Sequence, residues 1–92
     1  MNIPTEFYLG GIKWTVKRVK RLKGAYGDCN TTTATIRIRD DGQTDPLLIE
    51  QTFCHELTHA IQIAMGKPGD EHDEKFTDAF ATFLHQYLNT AK

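Results

Sequence analysis

The chain has 92 residues, of which 39% are hydrophobic and 25% charged, and its formal net charge is −1. This composition is that of a small globular protein and excludes a fibrous, collagen-like or disordered chain. The length predicts one domain over residues 1–92, with a single modest hydrophobic core.

The N-terminal segment and the cysteine content bear on where the protein is expected to act. Residues 1–11 lack the basic start and the apolar stretch of a signal peptide, and no apolar run approaches the length of a membrane span. Cys29 and Cys54 are too few for a disulfide scaffold, so we expect two free thiols. A cytoplasmic location without a membrane partner is therefore predicted.

Charge is distributed unevenly along the chain. Residues 1–39 hold eight Lys or Arg and two Asp or Glu, whereas residues 40–92 hold three and ten. The simpler interpretation is a solvated strand face, and the alternative is a surface for nucleic acid or acidic protein. The basic cluster consists of Lys13, Lys17, Arg18, Lys20, Arg21 and Lys23.

The first half of the chain has the pattern of β-strands. A short β-prone segment, residues 6–9, is followed by Gly10-Gly11, which is a hairpin turn signal. Apolar and polar residues alternate from residue 12 and again over 32–39, as in half-buried strands. A weaker strand candidate covers residues 26–30. We predict a small antiparallel sheet of three to four strands.

The second half has the pattern of two helices. Thr44 or Asp45 can cap the first, Pro46 suits its first turn, and Gly66 ends it. The second is expected to begin near residues 70–72. Its apolar residues recur at spacings of three and four, which predicts a core-facing stripe. The stripe consists of Phe76, Ala79, Phe80, Phe83, Leu84, Tyr87 and Leu88. The predicted fold class is α+β, a sheet covered by two helices.

A motif with the residues of a zinc hydrolase lies in the middle of the first helix. It reads His55-Glu56-Leu57-Thr58-His59. Residues four apart are roughly 40° apart around a helix, so His55 and His59 share a face and can hold one metal ion. Zinc lowers the pKa of a bound water to about 7. Glu56 is near enough to accept the proton of that water as a general base.

A catalytic zinc site needs a third protein ligand, which the residue pattern does not fix. The start of the second helix offers Glu71, His72, Asp73, Glu74 and Asp78. We take Glu74 as the first candidate, with Asp78 and His72 as alternatives. Thr77 and Ala81 share the face of Glu74 and Asp78, and their small side chains let the two helices approach closely. Acidic residues here also favour a helix N-terminus.

Two segments carry a resemblance to a known family. Residues 53–61, Phe-Cys-His-Glu-Leu-Thr-His-Ala-Ile, resemble the motif helix of gluzincin metallopeptidases. The pattern Glu74-x-x-Thr77-Asp78-x-Phe80-Ala81 is similar to their E-x-x-A-[DN]-x-F-A helix, with Thr77 in place of Ala. The nearest likeness is to minimal IrrE/ImmA-like and small phage-encoded peptidases.

The resemblance implies a zincin-like minimal fold with a Zn²⁺ site. It implies that His55, His59 and Glu74 bind the metal and that Glu56 is the catalytic general base. Asp78 would then orient a ligand histidine through the free N–H of its ring. The departure at Thr77 leaves Asp78 open as a ligand.

The expected function is that of a cytoplasmic zinc peptidase acting on a peptide or protein substrate. In related zincins an edge strand pairs with extended substrate, and residues 32–39 are the expected strand here. One alternative is a metal-binding regulatory module with little proteolysis. Another is a SprT-like protease acting on DNA-associated proteins, which would use the basic strands as its nucleic-acid contact.

Overall fold

A computed structural model describes residues 1–92. The elements in chain order are β1 (Glu6–Leu9), β2 (Ile12–Val19), β3 (Gly27–Asn30), β4 (Thr35–Arg39), α1 (Pro46–Ala64), a 3-10 helix (Gly69–Glu71) and α2 (Glu74–Thr90). The predicted α+β class, a small sheet with two helices, is confirmed. Neither helix has both the length and the apolar character that crossing a membrane requires.

The β1–β2 hairpin follows from its two glycines. Gly10 and Gly11 have φ values of +56° and +81°, and Leu9 pairs with Ile12 across the turn. A two-residue turn with positive φ at both positions matches the right-handed twist of the flanking strands, and glycine adopts it without a steric penalty. The predicted turn is therefore confirmed.

The sheet has the order β1-β2-β4-β3. The β1–β2 and β3–β4 pairs are antiparallel, whereas β2 and β4 are parallel. The prediction of an antiparallel sheet is wrong at this central pair. Residues 20–26 carry the chain past the position of β4 to the far edge, and β4 then returns between β2 and β3. The prediction that residues 32–39 form an edge strand is wrong for the same reason, since β4 is internal and the two edge strands are β1 and β3.

One face of the sheet packs on α1 and forms the core. Trp14 and Val16 of β2, together with Ile36 and Ile38 of β4, are buried there. Phe53 of α1 fills the centre, and the ring of Phe7 packs against its edge at 6.3 Å between centroids. The alternation predicted from residue 12 and over 32–39 is thus confirmed at these four residues, but it is wrong at Ile12, which is exposed at the start of β2.

The predicted core stripe of α2 is wrong. Only Thr77 and Ala81 of this helix are buried, and its aromatic residues are exposed. The reason is that α1 already covers the sheet, so α2 packs on α1 and no further layer lies beyond it. The contact side of α2 is the one with small side chains.

Candidate metal centre

The motif helix α1 is fixed at both ends. The Asp45 carboxylate accepts a hydrogen bond from Leu47 N at 2.8 Å, and Pro46 occupies the first turn. The helix ends before Gly66, whose φ of +89° closes the C-terminus. These signals agree with the predicted bounds.

The second helix starts slightly later than predicted. Asp73 caps α2, because its carboxylate accepts hydrogen bonds from the backbone N–H of Lys75 at 2.9 Å and of Phe76 at 3.4 Å. Buried Thr77 accepts a hydrogen bond from Gln62 Nε2 of α1 at 3.0 Å. This contact holds the first turn of α2 against the C-terminal half of α1.

The close approach of the helices brings one carboxylate to both motif histidines. Glu74 Oε1 lies 3.2 Å from His59 Nε2, and Glu74 Oε2 lies 3.5 Å from His55 Nε2. One ligand atom from each of the three side chains lies within 4.8 Å of the other two. Ligands of a tetrahedral ion at about 2.0–2.1 Å stand about 3.3 Å apart. The donor set therefore fits one small divalent cation.

Asp78 directs the ring of His55. Its Oδ1 lies 2.7 Å from His55 Nδ1. An ionised carboxylate only accepts hydrogen bonds, so the proton of neutral His55 resides on Nδ1. The lone pair of Nε2 then faces Glu74, which is the arrangement that a metal-binding imidazole requires.

His72 directs the ring of His59 in a comparable way. His72 Nε2 lies 2.8 Å from the carbonyl oxygen of Lys67, which can only accept, so His72 donates from Nε2. Its Nδ1 is then the acceptor for His59 Nδ1 at 2.7 Å. This places the proton of His59 on Nδ1 and leaves Nε2 as a lone pair toward Glu74.

Electrostatics favour the neutral form of His59. Burial lowers the pKa of His59 below its ordinary value, although the charge of Glu74 acts in the opposite direction. Metal binding requires the unprotonated ring. Burial therefore reduces the proton competition that a metal ion would meet at this residue.

Glu56 is buried beside the three donors but does not belong to their group. Burial raises its pKa to about 7, and the charges of Asp28 and Glu74 add to the effect. A carboxylate with a pKa near neutrality can both accept and return a proton during a reaction cycle.

Gly27 is a residue of this region whose role the sequence pattern did not reveal. A Cβ atom here would lie 2.5 Å from Thr52 Cγ2 and 3.3 Å from Glu56 Cγ. Only glycine lets the edge strand β3 lie this close to the motif helix. Because the contact joins segments far apart in sequence, the only signal was the glycine itself.

An open cavity of about 320 Å³ lies beside the motif. Tyr26 and Gly27 form its β3 side, and His55 and Glu56 form its α1 side. The candidates Glu71 and Asp73 do not belong to the donor group: Asp73 is the helix cap, and Glu71 is exposed in the 3-10 helix. The remaining histidine, His85, pairs with Glu50 at 2.8 Å.

A sheet whose edge strand lies over a helix with the His-Glu-x-x-His motif, completed by a carboxylate from the next helix, defines a metalloprotease-like domain. The SprT-like family model matches residues 5–90. The chain belongs to the SprT-like family. Comparisons with curated proteins and with solved structures gave no significant match.

The family is one of metalloprotease-like, zinc-binding domains, so the predicted class of protein and the presence of a possible metal site are confirmed at that level. The residue pattern alone predicts the SprT-like family only as an alternative. The likeness to IrrE/ImmA-like and phage-encoded peptidases stays a prediction.

Proposed function

We propose that residues 1–92 form one zinc metallopeptidase domain that hydrolyses peptide bonds in a protein substrate. The observation that carries the proposal is the convergence of His55, His59 and Glu74 on one point, with Glu56 buried beside them. A carboxylate outside the donor set, with its pKa raised to about 7, is what general base catalysis at neutral pH needs.

The proposed zinc ligands are the Nε2 atoms of His55 and His59 and the carboxylate of Glu74, a gluzincin set. Bound there, zinc would acidify a coordinated water and polarise the carbonyl of the scissile bond. Glu74 is favoured over His72 because both ring nitrogens of His72 are already engaged. It is favoured over Asp78 because that carboxylate faces the Nδ1 side of His55.

Glu56 is the proposed general base. Its carboxylate accepts the proton of the attacking water and then passes it to the leaving amine. The carboxylate itself is buried although it lines the open cavity, and this burial holds its pKa near 7. Protonation of the amine is needed because an amide nitrogen is a poor leaving group without it.

The proposed substrate is an extended peptide that pairs with the free edge of β3. Gly27 brings this edge next to Glu56, so a peptide added as a further strand runs past the site. The cavity of about 320 Å³ beside Tyr26 and His55 has room for a substrate side chain. The proposed substrate-pairing strand is therefore β3 and not β4, because β4 is internal to the sheet.

The decisive test compares wild type with Glu56→Gln, both loaded with zinc, on an unfolded protein substrate. We expect the variant to keep the metal and to lose about 10²–10⁴-fold in hydrolysis rate, the range for a positioned acid–base group. Equal hydrolysis by both proteins would refute the peptidase. Zinc binding without hydrolysis by wild type would favour the regulatory module instead.

The third ligand is tested by zinc affinity, measured by competition with a chelator. We expect Glu74→Gln to weaken binding by more than about 100-fold, whereas His72→Asn and Asp78→Asn should weaken it by about 10–100-fold, as for residues that orient ligands. His85→Asn removes a histidine of α2 that lies away from the site and serves as the control. A larger loss in His72→Asn than in Glu74→Gln would assign His72 as the ligand.

A second candidate narrows the substrate to DNA-associated proteins. Membership of the SprT-like family favours it, together with the exposed basic segment Lys20–Lys23 that lies beside Arg39. Arg39 in turn stacks on Tyr26 of the cavity, at 4.5 Å from its ring centroid. A nucleic acid held by these residues would lie next to the proposed cleft.

This candidate predicts salt-sensitive binding of duplex DNA. Neutralised phosphates release counterions, so affinity should fall steeply between about 50 and about 200 mM salt. The Lys20→Glu/Lys23→Glu variant should lose most of the binding, whereas Lys92→Glu, a control outside the basic segment, should not. Binding that ignores salt, or no binding, would remove the DNA-associated role and leave the peptidase proposal intact.

A further inference from the structure

Four aromatic side chains of α2 form an exposed stripe. Phe76, Phe80, Phe83 and Tyr87 are 46–69% exposed, and none of them belongs to the core cluster or packs against it. Single exposed apolar residues are common, but a contiguous group of this kind marks an interaction surface. We call this group the aromatic stripe.

The spacing of the aromatic stripe is that of a helix-pairing seam. Successive members are four, three and four residues apart, so they fall within an arc of roughly 60° and extend for about 16 Å along the helix. The rings of Phe76 and Phe80 are in contact, with 5.7 Å between their centroids. Ala81, on the side that packs against α1, lies roughly 130° around the helix from the stripe.

Along α2 the residues on either side of the aromatic stripe are uncharged. They are Ala79, Leu84, Gln86 and Thr90. The nearest charged side chains, Asp73 and Lys75, have opposite signs and lie at its N-terminal end. A strongly charged partner such as a nucleic acid therefore has nothing to recognise here. An apolar helix with the same spacing fits, and another copy of α2 is such a helix.

The area of the stripe agrees with self-pairing. At about 200 Å² per aromatic side chain and roughly half exposure, the four rings present about 450 Å². Pairing removes that area from both copies, and with the flanking residues the total reaches the approximately 1,000 Å² at which specific interfaces begin. A twofold dimer needs only this one surface, because the same patch is used on both subunits.

We propose that two copies of the chain associate through the aromatic stripes of antiparallel α2 helices. In this arrangement Phe80 of one copy packs on Phe83 of the other, and Phe76 packs on Tyr87. Residues Glu74 and Asp78 lie on the opposite side of α2, roughly 150–170° from the stripe, so both candidate metal centres stay open. The association is therefore independent of the proposed peptidase activity.

The test is sedimentation of the full chain over a concentration series from about 1 to about 500 µM, because interfaces near the lower size limit dissociate in the micromolar range. We expect the average mass of wild type to rise from 10.5 kDa toward twice that value. Phe83→Glu should raise the dissociation constant by at least about tenfold, since it places a charge in the middle of the seam. Circular dichroism should show that the variant is folded.

The matched control uses two tyrosines of equal exposure. Tyr87 and Tyr8 are both 65% exposed, but Tyr8 lies on β1, away from α2. Tyr87→Glu should weaken association and Tyr8→Glu should leave it unchanged. A wild-type protein that stays monomeric at all concentrations would overturn the proposal. This outcome includes a monomer whose aromatic stripe binds neutral phospholipid vesicles instead of a second copy. Equal weakening by both tyrosine variants would overturn it as well.

Discussion

The two helices differ in how many side chains they bury and in the kind of side chain that is buried. Eight of the 19 residues of α1 are buried, and four of these are the polar side chains Thr52, Glu56, Thr58 and Gln62. Only two of the 17 residues of α2 are buried, and both are small. The helix with the weaker apolar stripe forms the centre of the protein, and the helix with the stronger one lies on its surface.

This difference separates two meanings of an amphipathic pattern. Periodicity shows that apolar residues share a face, but it does not show what covers that face. In α1, Thr52 and Glu56 line the cavity of the candidate site, Gln62 bonds to α2, and Thr58 is satisfied by a carbonyl oxygen of its own helix. In α2 the aromatic residues are exposed because the small residues make the contact. Equivalent substitutions in the two helices test whether this difference in burial is real.

The largest expected effect comes from truncating one phenylalanine in each helix. Phe53 of α1 is 2% exposed, whereas Phe83 of α2 is 69% exposed. Phe53→Ala should lower the free energy of unfolding by about 3–5 kcal/mol, as for a core cavity. Phe83→Ala should change it by less than about 0.5 kcal/mol in dilute protein, where dissociation is complete. Urea unfolding measures both values.

Similar losses in the two variants would contradict the contrast. A large loss in Phe83→Ala at low concentration would mean that the aromatic stripe packs within the monomer. A small loss in Phe53→Ala would mean that α1 does not fill the centre of the sheet. The same titrations at high concentration report on association, because a dimer is stabilised by mass action.

A smaller effect is expected from the buried carboxylate of α1. The folded protein raises the pKa of Glu56 from an ordinary 4.5 to about 7. As pH rises, the unfolded chain releases this proton first, so folding stability falls between about pH 4.5 and about pH 7 and then levels off. At about 1.4 kcal/mol per pKa unit, the loss is about 3 kcal/mol when the metal is removed by a chelator.

Glu56→Gln removes this titration and should be more stable than wild type above about pH 7, by up to about 3 kcal/mol, with no gain below about pH 4.5. Thermal unfolding across this pH range in a chelator measures the difference. Glu71→Gln, which removes an exposed carboxylate outside the donor group, controls for the loss of one charge. If the stability of Glu56→Gln changed with pH in parallel with that of wild type, burial of the Glu56 carboxylate would not lower the folding stability.

Much of the candidate site could be predicted because it depends on local geometry. The spacing of His55 and His59 on one helix fixes their common face, and the Asp45 and Gly66 signals fix the ends of that helix. The small residues Thr77 and Ala81 correctly indicated which side of α2 approaches α1. With this side in contact, Glu74 comes within reach of both imidazoles.

The missed features all depend on contacts between distant segments. The parallel pairing of β2 with β4 is determined by the path of residues 20–26, which carry no signal of their own. The close approach of Gly27 to Glu56 joins β3 and α1, which are separated along the chain by β4. The exposure of the aromatic stripe depends on whether another layer exists, and periodicity contains no information on that question.

The smallest expected effect compares two hydrogen bonds between the same two helices. Gln62 Nε2 donates to Thr77 Oγ1 at 3.0 Å, and Gln51 Nε2 donates to Thr82 Oγ1 at 2.9 Å. Thr77 and Gln62 are buried, whereas Thr82 is exposed. The two bonds therefore have the same chemistry and length but differ in their access to water.

Thr77→Val should lower the free energy of unfolding by about 1–2 kcal/mol, because the buried amide of Gln62 loses the shorter of its two hydrogen bonds and keeps only the 3.4 Å bond to the Thr58 carbonyl oxygen, with no water to replace the lost one. Thr82→Val should cost less than about 0.5 kcal/mol, because solvent can satisfy Gln51. Chemical unfolding of both variants measures the difference. Equal losses of unfolding free energy in the two variants would mean that water reaches both ends of the α1–α2 contact. The small-residue side of α2 would then pack no more tightly than the rest of the helix, and the position of Glu74 would be less firmly held.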